Sequence, residues 1–192
     1  MLVARILLFT IITTLLTNRV ASTLLNRKSI RVYRKEFRYY IVMAVSSVTL
    51  FILLSFIINP AILAFAQFHL PNFVYWVGSA FMLTATTLWI WSKYHLGNNW
   101  SPRIAIRQDH TLTTSGPYQF VRHPIYTSYI LQVLGMGLAT ANLAVTLPCL
   151  AICLLTLLRI SDEEDSLLRE FGHEYTQYQS STGKVFPKLL RK

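Results

Sequence analysis

Residues 125–158 read IYTSYILQVLGMGLATANLAVTLPCLAICLLTLL, an apolar run of 34 residues. A helix crosses a bilayer's hydrocarbon core in about 20 residues, so this run is too long for one crossing. Its least hydrophobic point, Thr140-Ala141-Asn142, lies near the middle. The stretch therefore predicts a tight helical hairpin, 125–140 and 143–159. Gly135 and Ala139 sit four apart in the first arm, a small-xxx-small spacing that favours close helix contact.

Three further apolar regions lie upstream: roughly residues 3–25, then Tyr39–Ala66 interrupted by Asn59-Pro60, then Phe73–Trp91. The first could pass for a signal peptide. However, Arg5 is its only early basic residue, and Arg19-Val20-Ala21 is a poor cleavage site. It is read as a retained, tilted helix, which makes five crossings. Composition agrees. The 192 residues are 53% hydrophobic and only 14% charged, against about 25% charged in soluble domains, and mean hydropathy is +0.43. These figures exclude a soluble enzyme, a disordered chain and a coiled coil. The expected fold is all-α: a polytopic membrane protein of about five transmembrane helices in one membrane-embedded domain, 1–192. Residues 1–92 supply the N-terminal spans, and residues 93–192 hold the remaining hairpin and most of the polar chemistry.

Eighteen Lys+Arg against eight Asp+Glu give a net charge of +10. In a membrane protein, such an excess reports cytoplasmic loops and contact with anionic lipid rather than nucleic acid. Arg27, Lys28, Arg31, Arg34, Lys35 and Arg38 crowd the first loop, and Lys93, Arg103, Arg107 and Arg122 the third. The tail carries Arg159, Arg169, Lys184, Lys188, Arg191 and Lys192, whereas residues 67–72 and the 140–142 turn carry no Lys or Arg. Five crossings with the N-terminus outside place every basic loop on the cytoplasmic side.

Cys149 and Cys153 lack partners at metal spacing and read as small core fillers. His95 and His110 also lack metal spacing, so no metal is expected. Gly135-Met136-Gly137 is not a dinucleotide fingerprint, since no strand precedes it and a third glycine is missing.

Polar side chains concentrate in residues 93–126 and in the segment after the last span. Each part has a structural reading. Pro124 suits a first helical turn, Arg122 could bind lipid phosphate, and Tyr126 could join an interfacial aromatic belt. Ser161-Asp162-Glu163-Glu164 reads as a capping box, and Arg159 and Glu163 as an i,i+4 surface pair.

The combination is more specific. Gly116-Pro117-Tyr118-x-x-x-Arg122-His123-Pro124-x-Tyr126 opens the hairpin, and Arg159-x-x-x-Glu163-Glu164 follows it. Then come Glu170-Phe171-Gly172-x-Glu174-Tyr175-x-x-Tyr178 and Thr182-Gly183-x-x-Phe186-Pro187. With Gly97-Asn98-Asn99-Trp100, this set resembles the isoprenylcysteine carboxyl methyltransferase family of integral membrane methyltransferases, over roughly residues 93–188. The resemblance implies an S-adenosylmethionine site on the cytoplasmic side, built from a methyltransferase-like region at 93–192. By motif, its cofactor contacts would be His110, Thr111, Leu112, Thr113, Tyr118, His123, Pro124, Ile125, Tyr126 and Glu163. Arg159 would bind the acceptor carboxylate and, with Glu163, carry the catalytic role. A further polar contact that the family has before His110 falls in Ile104-Ala105-Ile106-Arg107-Gln108 and finds no clear match. The acceptor would be a lipophilic small molecule or lipidated group, prenylcysteine-like, arriving from the membrane.

These residue types suit methyl transfer to a carboxylate, which is ionised at pH 7 and needs no general base. An arginine fork can hold it, and tyrosine faces can meet a sulfonium. Two other enzymes compete: a sterol-reductase-like membrane enzyme using NADPH, and a phospholipid or amine N-methyltransferase. The first usually has many more spans, and in the second Arg159 would repel an ammonium acceptor. A small lipid-binding scaffold would explain the charge but not the motifs.

Overall fold

The computed structural model of the chain describes residues 30–32, 37–99, 105–107 and 111–188. It is mostly helical. Strand β1 (Ile30–Val32) pairs antiparallel with β2 (Ala105–Arg107), Arg31 opposite Ile106. This short ribbon is a feature that the helical reading did not anticipate. Helices α1 (Phe37–Ile58), α2 (Asn72–Leu96), α3 (Pro124–Thr140) and α4 (Leu143–Leu157) follow, then α5 (Ile160–Phe171) and α6 (His173–Ser181). The span expected at 3–25 lies outside the described residues. Among them, Ile41–Ile58, Asn72–Leu96 and the continuous run Leu143–Phe171 are long and apolar enough to cross a membrane.

The expected hairpin is present as α3 and α4. Its turn is closed by Ala141 in the left-handed region (φ 45°), a conformation that costs a non-glycine residue about 1 kcal/mol. Buried hydrogen bonds offset that cost. The Asn142 side chain caps α4 by accepting from Val145 N at 3.3 Å, and it donates to Leu63 O at 2.8 Å. Gln67 Nε2 donates to Thr140 O at 3.0 Å, and Phe68 N to Ala141 O at 2.9 Å. The segment that supplies Leu63 and Gln67 follows Pro60, where the second apolar region breaks. Asn59 caps a 3-10 helix there, Pro60–Ala66, by accepting from Ala61 N at 3.1 Å.

Helix α3 packs most closely on α2, through small residues. A Cβ at Gly135 would lie 2.7 Å from Met82 N and 2.8 Å from Gly78 O, and one at Gly78 would meet the Ala139 backbone. Lipid tails are as apolar as the helices, so close packing rather than water exclusion holds such pairs. Leu53, Phe56, Leu63, Met82, Met136, Val145 and Cys149 fill the core. Phe51, Ile58, Phe65 and Trp76 stand exposed on the outside, as lipid-facing side chains do. Thr86 and Thr140, inside the helices, bond back to carbonyls four residues earlier, Met82 O and Met136 O, which satisfies these two hydroxyls in an apolar setting.

Candidate active site

The start of α3 and the helix after the hairpin converge at one end of the molecule. Gly116, at φ +60°, opens a 3-10 turn (Gly116–Gln119), and a Cβ there would collide with the His95 ring. This turn packs against the end of α2, where His95 is itself bonded to Trp91 O at 3.0 Å. Asn99 lies just beyond. Its amide donates to Thr111 O at 3.0 Å and to Thr113 Oγ1 at 3.3 Å, which fixes the strand of chain leading into the turn. Tyr118 is buried, and its carbonyl accepts from the Tyr178 hydroxyl at 2.6 Å. Burial pushes the Tyr118 phenol well above its usual pKa, with the Glu163 carboxylate adding to the effect. The Tyr178 phenol is raised to about 12, also chiefly by burial.

His123 precedes α3 and Pro124 takes its first turn, where the absent N–H costs nothing. His123 and Tyr126 are both buried, with their rings edge-to-face at 5.5 Å. Tyr126 donates its hydroxyl to Glu163 Oε2 at 2.7 Å, and the Tyr129 ring follows one turn on, 6.2 Å from Tyr126. Glu163 N bonds to Arg159 O at 3.0 Å, so Arg159 stands one helical turn before Glu163. The Arg159 charge is also felt at both Tyr126 and Tyr129. The structure thus brings Tyr118, His123, Pro124, Ile125, Tyr126, Arg159 and Glu163 together. It holds Thr111, Leu112 and Thr113 on Asn99, three residues before the 116–119 turn. His110 lies outside the described residues, and of the 103–109 stretch only the backbone of 105–107 is described.

The capping box expected at Ser161 is not formed. Leu158 and Arg159 keep right-handed helical dihedrals between α4 and α5, and no side chain caps the start of α5. Glu164, the acid of that box, is therefore free of capping duty, and Glu163 beside it reaches across to Tyr126.

A second cluster, which the sequence reading did not assign, centres on Glu164. Arg122 Nε and Nη2 each lie 2.9 Å from Glu164 Oε1, His123 Nε2 is 3.2 Å from the same oxygen, and Lys184 Nζ is 3.3 Å from Oε2. Burial would raise the Glu164 pKa, but hydrogen bonds and charge from His123 and Arg122 outweigh it and hold the carboxyl at about 2. Arg122 Nη1 donates to Gln179 O at 3.3 Å and to Thr182 O. It is thus a structural staple rather than a lipid anchor. The tail closes over this frame: Arg122 N donates to Gly183 O at 2.8 Å, His123 N to Lys184 O at 3.0 Å, and Thr127 Oγ1 to Val185 O at 2.7 Å. Adjacent helical residues point about 100° apart, so the Glu163-Glu164 pair itself was the available signal for two partners. Among the described residues no group of His, Cys, Asp and Glu could hold a metal ion.

Residues 76–169 match the model of the isoprenylcysteine carboxyl methyltransferase (ICMT) family. The chain is 37% identical over 86 residues to the cobalt-zinc-cadmium resistance protein CzcN of Cupriavidus metallidurans, covering 45% of this chain and 40% of that protein. It is 32% identical over 96 residues to the protein-S-isoprenylcysteine O-methyltransferase of Schizosaccharomyces pombe, covering 48% and 41%. A solved structure of the eukaryotic intramembrane Ras methyltransferase ICMT superposes with a TM-score of 0.54 at 25% identity, covering 81% of this chain and 54% of that one. The chain therefore spans about half, or less, of the length of these relatives. With its long apolar helices, it is an integral membrane protein.

Proposed function

We propose that this chain, a member of the isoprenylcysteine carboxyl methyltransferase family through residues 76–169, methylates the carboxylate of a lipophilic, prenylcysteine-like acceptor with S-adenosylmethionine as donor. The observation that supports this most directly is the 2.7 Å bond between Tyr126 and Glu163, which joins the two motifs flanking the hairpin.

The donor set fits the cofactor: the buried Tyr118 and Tyr126 rings beside the Glu163 carboxylate suit a cationic ligand with hydroxyl and amino donors. When bound, S-adenosylmethionine supplies a methyl group made electrophilic by the adjoining sulfonium. Glu163 accepts hydrogen bonds from the ligand with the oxygen that Tyr126 leaves open. Arg159, one turn earlier on the same helix, holds the acceptor carboxylate through its planar fork. The acceptor is already ionised, so no residue here has to remove a proton. What the protein supplies is placement in line and exclusion of water, worth several kcal/mol. The lipid tail of the acceptor remains in hydrocarbon and enters between helices. On the loop charges, the chain has five spans with its N-terminus outside and the site cytoplasmic.

Calorimetric titration of the purified chain tests the assignment. S-adenosylhomocysteine should bind and NADPH should not. Glu163→Ala loses a charge-assisted contact of about 1.5–3 kcal/mol, a ten- to hundredfold weaker affinity. Unchanged isotherms in both Glu163→Ala and His123→Ala would sink the site. For the topology, single cysteines at 30, 70, 105 and 185 in a background lacking Cys149 and Cys153 should be labelled from outside only at 70.

A further inference from the structure

The two glutamates of the Glu163-Glu164 pair are held very differently. Glu163 faces Tyr126 alone among the hydrogen-bond partners described above. Glu164 is locked from three sides, by Arg122, His123 and Lys184. The arginine cannot swing away, because its other donors are committed to Gln179 O and Thr182 O. The His123 main chain is pinned as well: its N–H donates to Lys184 O, its carbonyl accepts from Tyr126 N at 3.0 Å, and Pro124 follows. The ring is 4% exposed and edge-on to Tyr126. Of its two nitrogens, Nε2 lies 3.2 Å from Glu164 Oε1, and Nδ1 has no hydrogen-bond partner among the described residues.

We infer that Glu164 is a positioning residue that takes the Nε2 hydrogen of His123 and so leaves Nδ1 as a fixed hydrogen-bond acceptor at the cofactor site. An ionised carboxylate can only accept, so the nitrogen beside it must carry the hydrogen. The second ring nitrogen then recognises a donor, such as an ammonium or a hydroxyl, and does not recognise an anion. Lys184 keeps Oε2 occupied, and this leaves Oε1 to Arg122 and His123. The group-recognition part of this inference rests on the proposed methyltransferase function; the tautomer does not. A carboxylate that merely staples α5 to the tail would leave the tautomer free to vary and the ligand affinity untouched.

The test is nitrogen NMR of the full chain labelled with [15N]histidine in detergent at pH 7, with the His123 signals assigned through His123→Gln. Wild type should show His123 protonated at Nε2 and bare at Nδ1. Glu164→Gln replaces the charged acceptor by an amide that can also donate, so the Nε2–H population should fall. The dissociation constant for S-adenosylhomocysteine should rise about tenfold, the equivalent of about 1.4 kcal/mol. A wild-type His123 protonated at Nδ1 overturns the inference. So does a Glu164→Gln chain in which either the tautomer or the affinity stays within twofold of wild type. If Glu164→Gln does not fold, the wild-type spectrum decides alone. If wild type fails to bind S-adenosylhomocysteine, the methyltransferase reading is what falls, and the spectrum still decides the role of Glu164.

Discussion

The bond between Tyr126 and Glu163 joins α3 to α5, and its two ends are not equivalent. Tyr126 is 9% exposed, whereas Glu163 is only half-buried. A hydrogen bond to a charged group contributes about 1.5–3 kcal/mol, and a buried polar group left without its partner costs about 1–3 kcal/mol. Tyr126→Phe removes the donor, but water can reach the carboxylate that remains, so the loss should sit near the low end, about 1 kcal/mol. Glu163→Ala leaves the buried Tyr126 hydroxyl without its acceptor and should cost about 2–3 kcal/mol. The double variant also removes the stranded hydroxyl, so it should cost no more than Glu163→Ala alone, which gives a coupling of at least about 1 kcal/mol. Denaturant unfolding in mixed micelles would measure all four chains. Two results refute the argument: losses that add to within about 0.5 kcal/mol, or Tyr126→Phe proving the more damaging single change.

Gly135→Ala drives a Cβ to 2.7 Å from Met82 N, a backbone atom that cannot yield, and should destabilise by about 1–3 kcal/mol. In Gly137→Ala the nearest atom is Thr146 Cγ2 at 3.1 Å, so this variant should be close to neutral; equal unfolding midpoints for the two would contradict the packing account. Glu164 has a folded pKa of about 2 against an ordinary 4.5, so its stabilisation is complete above 4.5 and is lost as pH falls towards 2. The stability gap between wild type and Glu164→Gln should therefore hold steady from neutral pH down to about 5 and shrink below it; a gap that closes between pH 8 and 6 would point to a different group. Arg159→Ala should keep near-normal S-adenosylhomocysteine affinity while methyl transfer to a farnesyl-cysteine analogue falls about tenfold or more, and Arg159→Lys should also be impaired because it lacks the fork. Transfer at the unmutated rate in Arg159→Ala would make that arginine an interfacial anchor only.

The hairpin was legible because its signal is local. A 34-residue apolar run must fold back, and Asn142, the residue that marks the break, is also the one that caps α4. The predicted arms agree with α3 and α4 to within two residues. The capping box failed for a related reason: Ser161-x-x-Glu164 has the right spacing, but local sequence does not say whether the preceding helix has stopped. The motif residues at 118, 123–126, 159 and 163 were legible as a set, yet the Tyr126–Glu163 contact spans 37 positions and only the fold creates it. Glu164 was harder still. Its partners lie at Arg122 and at Lys184, and the tail that carries Lys184 looked like a basic terminus suited to lipid. The ribbon of 30–32 with 105–107 is likewise a long-range pairing that three-residue strands do not announce.

Helices α4 and α5 form one 29-residue helical run from Leu143 to Phe171. At 1.5 Å per residue, Glu163 lies about 30 Å along it from Leu143, close to the thickness of the hydrocarbon core. On the proposed topology the acidic residues emerge where the bilayer ends, and the hairpin turn at Asn142 lies at the opposite face. A rigid strut of this kind makes membrane thickness a variable of the site. In a bilayer a few ångströms thicker, Arg159 and Glu163 would be drawn towards the lipid, at a cost that tilting of the helix could only partly relieve. Lipid chain length should thus tune this protein as directly as a change of side chain does.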